Sequence, residues 1–301
     1  MDSEPKPVAS TGVKEDEPSS ASPEEGSEIE HSSQEEQEEQ VKLSLLTWNI
    51  DGLDTENIVE RFKGMVSYVD KLSPDVVFLQ ELIPPYLHFL KKHFKQYTII
   101  EGNTKGYFTG IMLKTSRVTL LKSEIVKYPT TEMGRNLLMA QVQFCGIELC
   151  LMTSHLESCK GNSQERVNQL RRVFKRLKEA PDSVTVIFGG DTNLRDWEVG
   201  KLGGLPTGVC DVWEYLGKLE VCRYTWDNKI NDNKDTSYCA RLRFDRIFLR
   251  PAKEGAQIAP QHMDLIGLER LPCGRFTSDH WGLHCGFTVQ TQTSPATTAL
   301  H

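Results

Sequence analysis

The chain has 301 residues, enough for one large α/β domain or two small ones. Its formal net charge of −7 hides two unlike parts: residues 1–40 carry 13 acidic and 2 basic side chains, leaving 33 basic and 29 acidic residues and a net of +4 in 41–301. No run approaches the roughly 20 apolar residues of a membrane span, no apolar leader core is present, and the eight cysteines form no CxxC pair or zinc-type Cys/His spacing; the expectation is a protein of a reducing compartment, nucleus or cytoplasm, with no membrane partner.

Residues 1–40 are Glu, Ser, Gln and Pro with only isolated Val8, Val13 and Ile29, so this acidic tail is expected to be disordered. Ser32 and Ser33, ahead of acidic residues, are phosphorylation candidates. From Val41 the pattern changes. Residues 41–50 read as a buried strand ending in Thr47-Trp48-Asn49-Ile50-Asp51-Gly52. Helical periodicity follows over 55–72, with Thr55 as the expected N-cap and Ser73-Pro74 as the break. A strand at 75–79 runs into Gln80-Glu81, and a helix over 84–94 starts on proline. Strands are expected at 97–101, 107–114, 117–127, 137–145 and 147–154, the last leading into Thr153-Ser154-His155-Leu156-Glu157-Ser158. Residues 163–179 form an amphipathic helix with a basic outer face.

The centre of the chain is Val184 to Phe188, a β-branched apolar run that stops at Gly189-Gly190 and presents Asp191-Thr192-Asn193. An ionisable acid and a neutral amide donor two residues apart suit water activation beside a phosphate oxygen. Residues up to 242 read as loops with a short apolar segment at 209–216; strands return at 243–249 and 281–289, and 291–301 read as a frayed end. One α/β domain over 41–290 is the expected organisation.

Polar residues gather where buried strands leave the core: Asn49 and Asp51, Gln80 and Glu81, Asp191 and Asn193, and Ser278-Asp279-His280, joined by His155 and Asp245. Ligands of α/β proteins collect at such edges. Any one of these residues alone is better explained as a cap or a surface ion pair. Together they offer hard oxygen ligands without thiolates, a set suited to Mg²⁺.

Thr47-Trp48-Asn49, Leu79-Gln80-Glu81, Gly190-Asp191-Thr192-Asn193 and Ser278-Asp279-His280 resemble the four motifs of the exonuclease–endonuclease–phosphatase superfamily. The resemblance runs from about 43 to 285. It implies a four-layer α/β sandwich of two packed mixed sheets flanked by helices, with the site at one edge. It also implies Glu81 and, more weakly, Asp51 as ligands of Mg²⁺, for which Mn²⁺ can substitute. Asp191 would be the base, Asn49, Asn193, His155 and His280 would hold the phosphate, and Asp245 and Asp279 would orient His280.

Gly106-Tyr107-Phe108-Thr109, the Thr153–Ser158 segment and Leu194-Arg195 narrow the likeness to the branch that hydrolyses 5′-phosphotyrosyl bonds between a topoisomerase II tyrosine and DNA during break repair. That implies DNA contacts from Asn49, Ile50, Asp51, Gly52, Leu53, Tyr107, His155, Ser158, Asn193, Leu194, Arg195, Trp226, Phe244 and His280, with protein-linked RNA as a further substrate class. Vertebrate members usually carry an N-terminal ubiquitin-associated domain. Residues 1–40 cannot form one, so a shorter isoform or truncated product is expected and the sequence gives no support for ubiquitin or signalling partners. The competing readings are an abasic-site or 3′-processing nuclease of the same superfamily, an inositol phosphatase or sphingomyelinase that leaves the aromatic residues without a purpose, and an adaptor using the same fold.

The charge contrast has its own consequence. A flexible anionic tail competes with a polyanionic substrate for a basic body, over a Debye length of roughly 8 Å at physiological salt. Deleting residues 1–40 is expected to tighten DNA binding a fewfold at low salt, with the gain fading as salt rises; fluorescence anisotropy curves that overlay at every salt concentration would refute the competition.

Overall fold

The computed structural model describes residues 41–290; the tail expected to be disordered at 1–40 and the frayed end at 291–301 lie outside the described residues. In chain order the elements are β1 (Lys42–Asn49), α1 (Ile58–Leu72), β2 (Val76–Leu82), α2 (Pro84–His93), β3 (Tyr97–Glu101), β4 (Phe108–Lys114), β5 (Val118–Lys127), β6 (Asn136–Phe144), β7 (Ile147–His155), α3 (Ser163–Glu179) and β8 (Thr185–Asp191). They continue as α4 (Asp196–Gly200), β9 (Cys210–Asp211), α5 (Val212–Tyr215), β10 (Trp226–Asp227), β11 (Arg241–Leu242), β12 (Asp245–Arg250), β13 (Gln257–Ile266) and β14 (Gly282–Gln290).

Strands that are apolar on both faces need cover on both sides. Alternate residues of β1 show how this chain supplies it. Leu43 and Leu45 point into a core shared with Phe78, Ile111, Leu138, Leu151, Ile187, Ile247 and Phe287, while Leu46 and Trp48 point the other way, onto Phe62, Met65, Val69 and Leu90 of α1 and α2. On β8, Ile187 faces the same central core and Val186 and Phe188 face Leu170, Val173, Phe174 and Leu177 of α3. Two six-stranded sheets, in the orders β13-β14-β1-β2-β4-β3 and β5-β6-β7-β8-β12-β9, are therefore packed face to face with helices outside. This is the four-layer sandwich the sequence motifs imply. Among the described residues no helix is long and apolar enough to cross a membrane.

Each sheet holds one parallel pair, β1 with β2 and β7 with β8, joined by the crossover helices α1 and α3. Parallel pairing puts the carboxyl ends of both partners at the same edge. β12 and β14 are antiparallel to β8 and β1, so their amino ends arrive there too. That edge carries the polar residues singled out above.

Three expectations need correction. Thr55 does not cap α1: Asn57 takes that position in the left-handed region at φ 48°, its carbonyl accepting from Arg61 N–H at 3.0 Å, after a turn in which Asp54 Oδ1 accepts from Glu56 N–H. The loop-like span 193–242 contains α4, α5 and the β9, β10 and β11 strands, all too short to show a period. β13 was not expected at all, because Pro260 and a bulge before His262 break its alternation; it is an edge strand, where proline is tolerated.

Gly190 fixes how closely the two parallel strands of the second sheet approach. A Cβ there would lie 2.2 Å from the Ser154 carbonyl oxygen of β7, next to the Asp191 and His155 positions. Gly190→Ala is expected to destabilise by about 1–3 kcal/mol, the usual range for forced overpacking. At roughly 2–4 °C per kcal/mol for a domain this size, a drop of several degrees in Tm should appear; an unchanged Tm would contradict the packing account.

Candidate active site

Strand register brings the site together. In the second sheet His155 of β7 pairs with Asp191 of β8, and Asp191 pairs in turn with Asp245 of β12, so three functional residues stand in one row. In the first sheet Asn49 of β1 pairs with Gln80 of β2, and Glu81 follows. The Asn49 amide closes the gap between sheets: its Nδ2 donates to Asp191 Oδ2 at 2.9 Å and to Glu81 Oε1 at 3.3 Å. Its Oδ1 accepts from the Asp51 N–H at 3.0 Å, which fixes the amide in that orientation.

Three non-glycine residues at this edge sit in the left-handed region: Asp51 at φ 49°, Glu81 at 59° and Asn193 at 50°. Asp and Asn tolerate it; Glu does so rarely. The β2–β4 ladder slips between Leu79 and Leu82, and this bulge turns Glu81 out of the strand pattern toward the cleft. Backbone held in sparsely populated conformations clusters where a side chain must be aimed.

Asp191 is buried and holds the centre. Its Oδ2 lies 3.2 Å from His155 Nε2 and 3.7 Å from His280 Nε2, and its Oδ1 accepts from the Asn193 N–H. Burial works to raise its pKa, but the two imidazoles and the Asn49 amide outweigh it and hold the carboxyl well below the usual carboxylate range. His280 Nδ1 is 2.8 Å from Asp245 Oδ2. Burial would lower the His280 pKa; Asp245, Asp191 and Asp279 reverse that and raise it well above the ordinary value. His155 is oriented differently: Arg135 donates to its Nδ1 at 2.8 Å, so Nε2 carries the proton it offers to Asp191.

These residues open into a cleft of about 590 Å³ lined by Asn49, Glu81, His155, Asp191, Asn193 and His280 together with Arg195, Lys160, Trp226, Tyr238 and Phe244. The Arg195 guanidinium lies 5.2 Å from the Phe244 ring, and Ser158 Oγ receives Arg135 and Asn193 side-chain donors. Tyr107 stands beside His155 and under the Arg135 guanidinium, 4.8 Å away.

Several expected site residues are placed otherwise. Ile50 and Leu194 are core side chains, packed in the helix-covered layers outside the first and second sheets, and do not reach the cleft. Leu53 is exposed, and Gly52 lies against the Glu81 carbonyl. Asp279 does not orient His280; its Oδ2 accepts from Trp226 Nε1 at 3.3 Å, leaving Asp245 as the orienting carboxylate. Asp51 is not in the cleft lining. Lys234 Nζ contacts its Oδ1 at 2.8 Å and Arg61 its Oδ2 at 3.5 Å. Burial, with Asp279 and Glu81 nearby, pushes Asp51 up to about 7 against the pull of Lys234. Arg135, Lys160, Lys234 and Tyr238 had no sequence signal, each standing in a loop or strand start without a motif.

The donor set fits a hard divalent cation. Among the described residues, Glu81 Oε1 accepts only the long bond from Asn49 and Oε2 accepts none, so a carboxylate faces the cleft largely free. Asp279, also on the cleft lining, places a second carboxylate there. One or two carboxylates with water and substrate oxygens completing the shell is the usual Mg²⁺ arrangement.

A sandwich of two mixed sheets with Asn, Glu, Asp and His converging at one edge defines a metal-assisted phosphoesterase, and the chain belongs to the endonuclease/exonuclease/phosphatase family, whose profile matches residues 46–280. Within that family it groups with the tyrosyl-DNA phosphodiesterase 2 proteins. It is 61% identical to the Danio rerio tyrosyl-DNA phosphodiesterase 2 over 251 residues, 83% of this chain and 68% of that one. It is 56% identical to the Homo sapiens protein over 263 residues, 87% and 73% of the two chains. The crystal structure of the D. rerio protein complexed with a single-strand DNA product superposes with a TM-score of 0.81 at 62% identity, covering 82% of this chain and 98% of that one.

His280 owes its proton first to Asp245. In Asp245→Asn its pKa is expected to fall toward the ordinary imidazole value, followed by imidazole NMR across a pH series; a titration that overlays the wild type would show that Asp245 is only a packing residue.

Proposed function

We propose that this chain hydrolyses the 5′-phosphotyrosyl bond that links a protein tyrosine to DNA, leaving a free tyrosine side chain and a 5′-phosphate end. The observation that carries this reading is a single cleft in which an ionised Asp191, held by Asn49 and two imidazoles, faces the free Glu81 carboxylate between aromatic and basic walls. The likeness to tyrosyl-DNA phosphodiesterase 2 proteins supports the choice of substrate. In the proposed cellular setting the adducts are those of topoisomerase II and the site of action is the nucleus, with a cytoplasmic pool.

Phosphodiester hydrolysis needs an in-line water and positive charge or donors on the equatorial oxygens, with little covalent participation by the protein. Asp191 accepts a hydrogen bond from that water and aligns it. Its depressed pKa makes it a stronger positioning group than proton acceptor, since a base works best with a pKa near the working pH. The protonated His280 donates to phosphate oxygens and the Asn193 amide adds a neutral donor, while the Nε2–H of His155 and the Asn49 amide hold Asp191 in place. Mg²⁺, held by Glu81, supplies Lewis-acid stabilisation of the developing charge when bound. As the water oxygen bonds to phosphorus, its proton passes through Asp191 to solvent and the bond to the tyrosine oxygen breaks; a phenol pKa of about 10 makes the departing phenolate a comparatively good leaving group, and it takes up a proton from solvent to give the free side chain. Trp226, Phe244 and Tyr238 offer faces for bases or sugars, and Arg195 and Lys160 offer charge to the backbone.

Release of tyrosine from a 5′-phosphotyrosyl oligonucleotide, compared with incision of an abasic one, tests this reading. Preferential incision of the abasic substrate would replace it by the repair-nuclease alternative. Asp191→Asn is expected to lower turnover by roughly 10²–10⁴-fold in a folded protein. Glu81→Ala should abolish activity or raise the Mg²⁺ requirement strongly. Full wild-type activity in EDTA would remove the metal from the account.

A further inference from the structure

On the outer face of the first sheet, beyond the cover of α1 and α2, two histidines and an aspartate meet on neighbouring strands. His262 and Asp264 project from β13 and His284 from β14, and one ligand atom from each lies within 4.8 Å of the others. His262 and Asp264 are exposed and His284 is half-buried. Among the described residues none of the three side chains makes a hydrogen bond or an ion pair within the protein.

The backbone is arranged to make this meeting possible. In β13, Ile258 pairs with Val289, both in the inter-sheet core, and Pro260, itself buried, pairs with Phe287 of that core. Had the ladder continued unbroken, His262 would point inward as well. The register shifts between Pro260 and His262, so that His262 pairs with Gly286 while Asp264 pairs with His284. The bulge thus moves His262 to the outer face, in phase with Asp264, leaving Met263 inside. Re-aiming a side chain is what a bulge at a sheet edge does.

Gly286 completes the geometry. A Cβ there would fall 2.1 Å from His262 Cε1 and 2.5 Å from its Nδ1, so the ring lies across the bare backbone of β14. It ends 5.8 Å, centroid to centroid, from the His284 ring. A side chain at 286 would displace the His262 ring from this position.

We propose that His262, Asp264 and His284 form a second metal site, selective for Zn²⁺ and chemically distinct from the oxygen-rich cleft. Two imidazoles and one carboxylate on a rigid sheet match the three-ligand sets that bind Zn²⁺, with the fourth position open to water. Mg²⁺, which favours oxygen ligands, competes poorly for two imidazole nitrogens. None of the three side chains lines the cleft, so the ion at this site takes no part in the cleft chemistry. Bound there, it clips the edge strand β13 to β14 across the outer face.

The test is Zn²⁺ titration of the full chain by isothermal calorimetry in buffer saturated with Mg²⁺, comparing wild type with the His262→Gln/His284→Gln double variant. The proposal expects the wild type to take up one more equivalent than the double variant, at least tenfold tighter than any residual binding at the mutated site. It also expects Zn²⁺ to raise the Tm of the wild type more than that of the variant. Gly286→Val, which keeps all three ligands but displaces the His262 ring, should lose the same equivalent. Since all three ligands are at or near the surface, the double variant should fold with its Mg²⁺-dependent activity intact. Equal stoichiometry in wild type and double variant, or no Zn²⁺ uptake by either, would overturn the site.

Discussion

The hydrogen bond from Asn49 to Asp191 spans the two sheets, and the rest of the site depends on it. Asp191 ends a strand of one sheet and Asn49 a strand of the other, and the 2.9 Å contact ties the two edges together. That contact exists because each sheet contains one parallel pair whose carboxyl ends reach the same rim. Pairing register then decides the neighbours: His155 and Asp245 flank Asp191 because they are its ladder partners, not because any loop carries them there. A site built on strand ends is stiffer than one built on loops, which suits chemistry that works by positioning.

Electrostatics follows from this placement. A buried carboxylate among imidazoles and an amide stays ionised, and in return it helps keep His280 charged. The negative group and the positive group stabilise each other, while the phosphate that arrives between them meets donors already aimed. Glu81 stands outside this arrangement. With one long hydrogen bond and a free oxygen, it is the carboxylate left over for a cation. Asp51, by contrast, is tied to Lys234 and Arg61, and Lys234 also grips Asp54, so this group braces the 51–54 turn against the 227–240 loop. The two carboxylates named together as ligands therefore have different work.

Much of this was legible from residue patterns because the strands that matter are buried on both faces. A continuous apolar run ending in a polar cluster, as in Val184–Asn193, marks both the strand and its functional end. The α3 helix is legible for the complementary reason: one face is apolar and the other basic across all its turns. Where the pattern misled, tertiary context had the deciding influence. Ile50 and Leu194 follow site residues in sequence, but a turn or strand end sends alternate side chains to opposite faces, and theirs went to the core. Arg135, which sets the tautomer of His155, sits at the start of β6 without a motif and becomes visible only when β6 and β7 pair. Asp279 precedes His280, yet its partner is Trp226, 53 positions earlier in the chain. β13 escaped notice because its bulge and proline erase the period of two, and the same bulge is what presents His262.

The central claim is that Asp191 is an anion stabilised in place by Asn49 and two imidazoles. It is tested most directly by following the Asp191 carboxyl carbon by ¹³C NMR as the pH of the metal-free protein is lowered. The account predicts that this carbon keeps the shift of an ionised carboxylate as the pH passes below about 4, where a free aspartate takes up its proton, for as long as the fold persists. A carboxyl that titrates at or above that value in the folded protein would show that burial governs Asp191, and the account would fail.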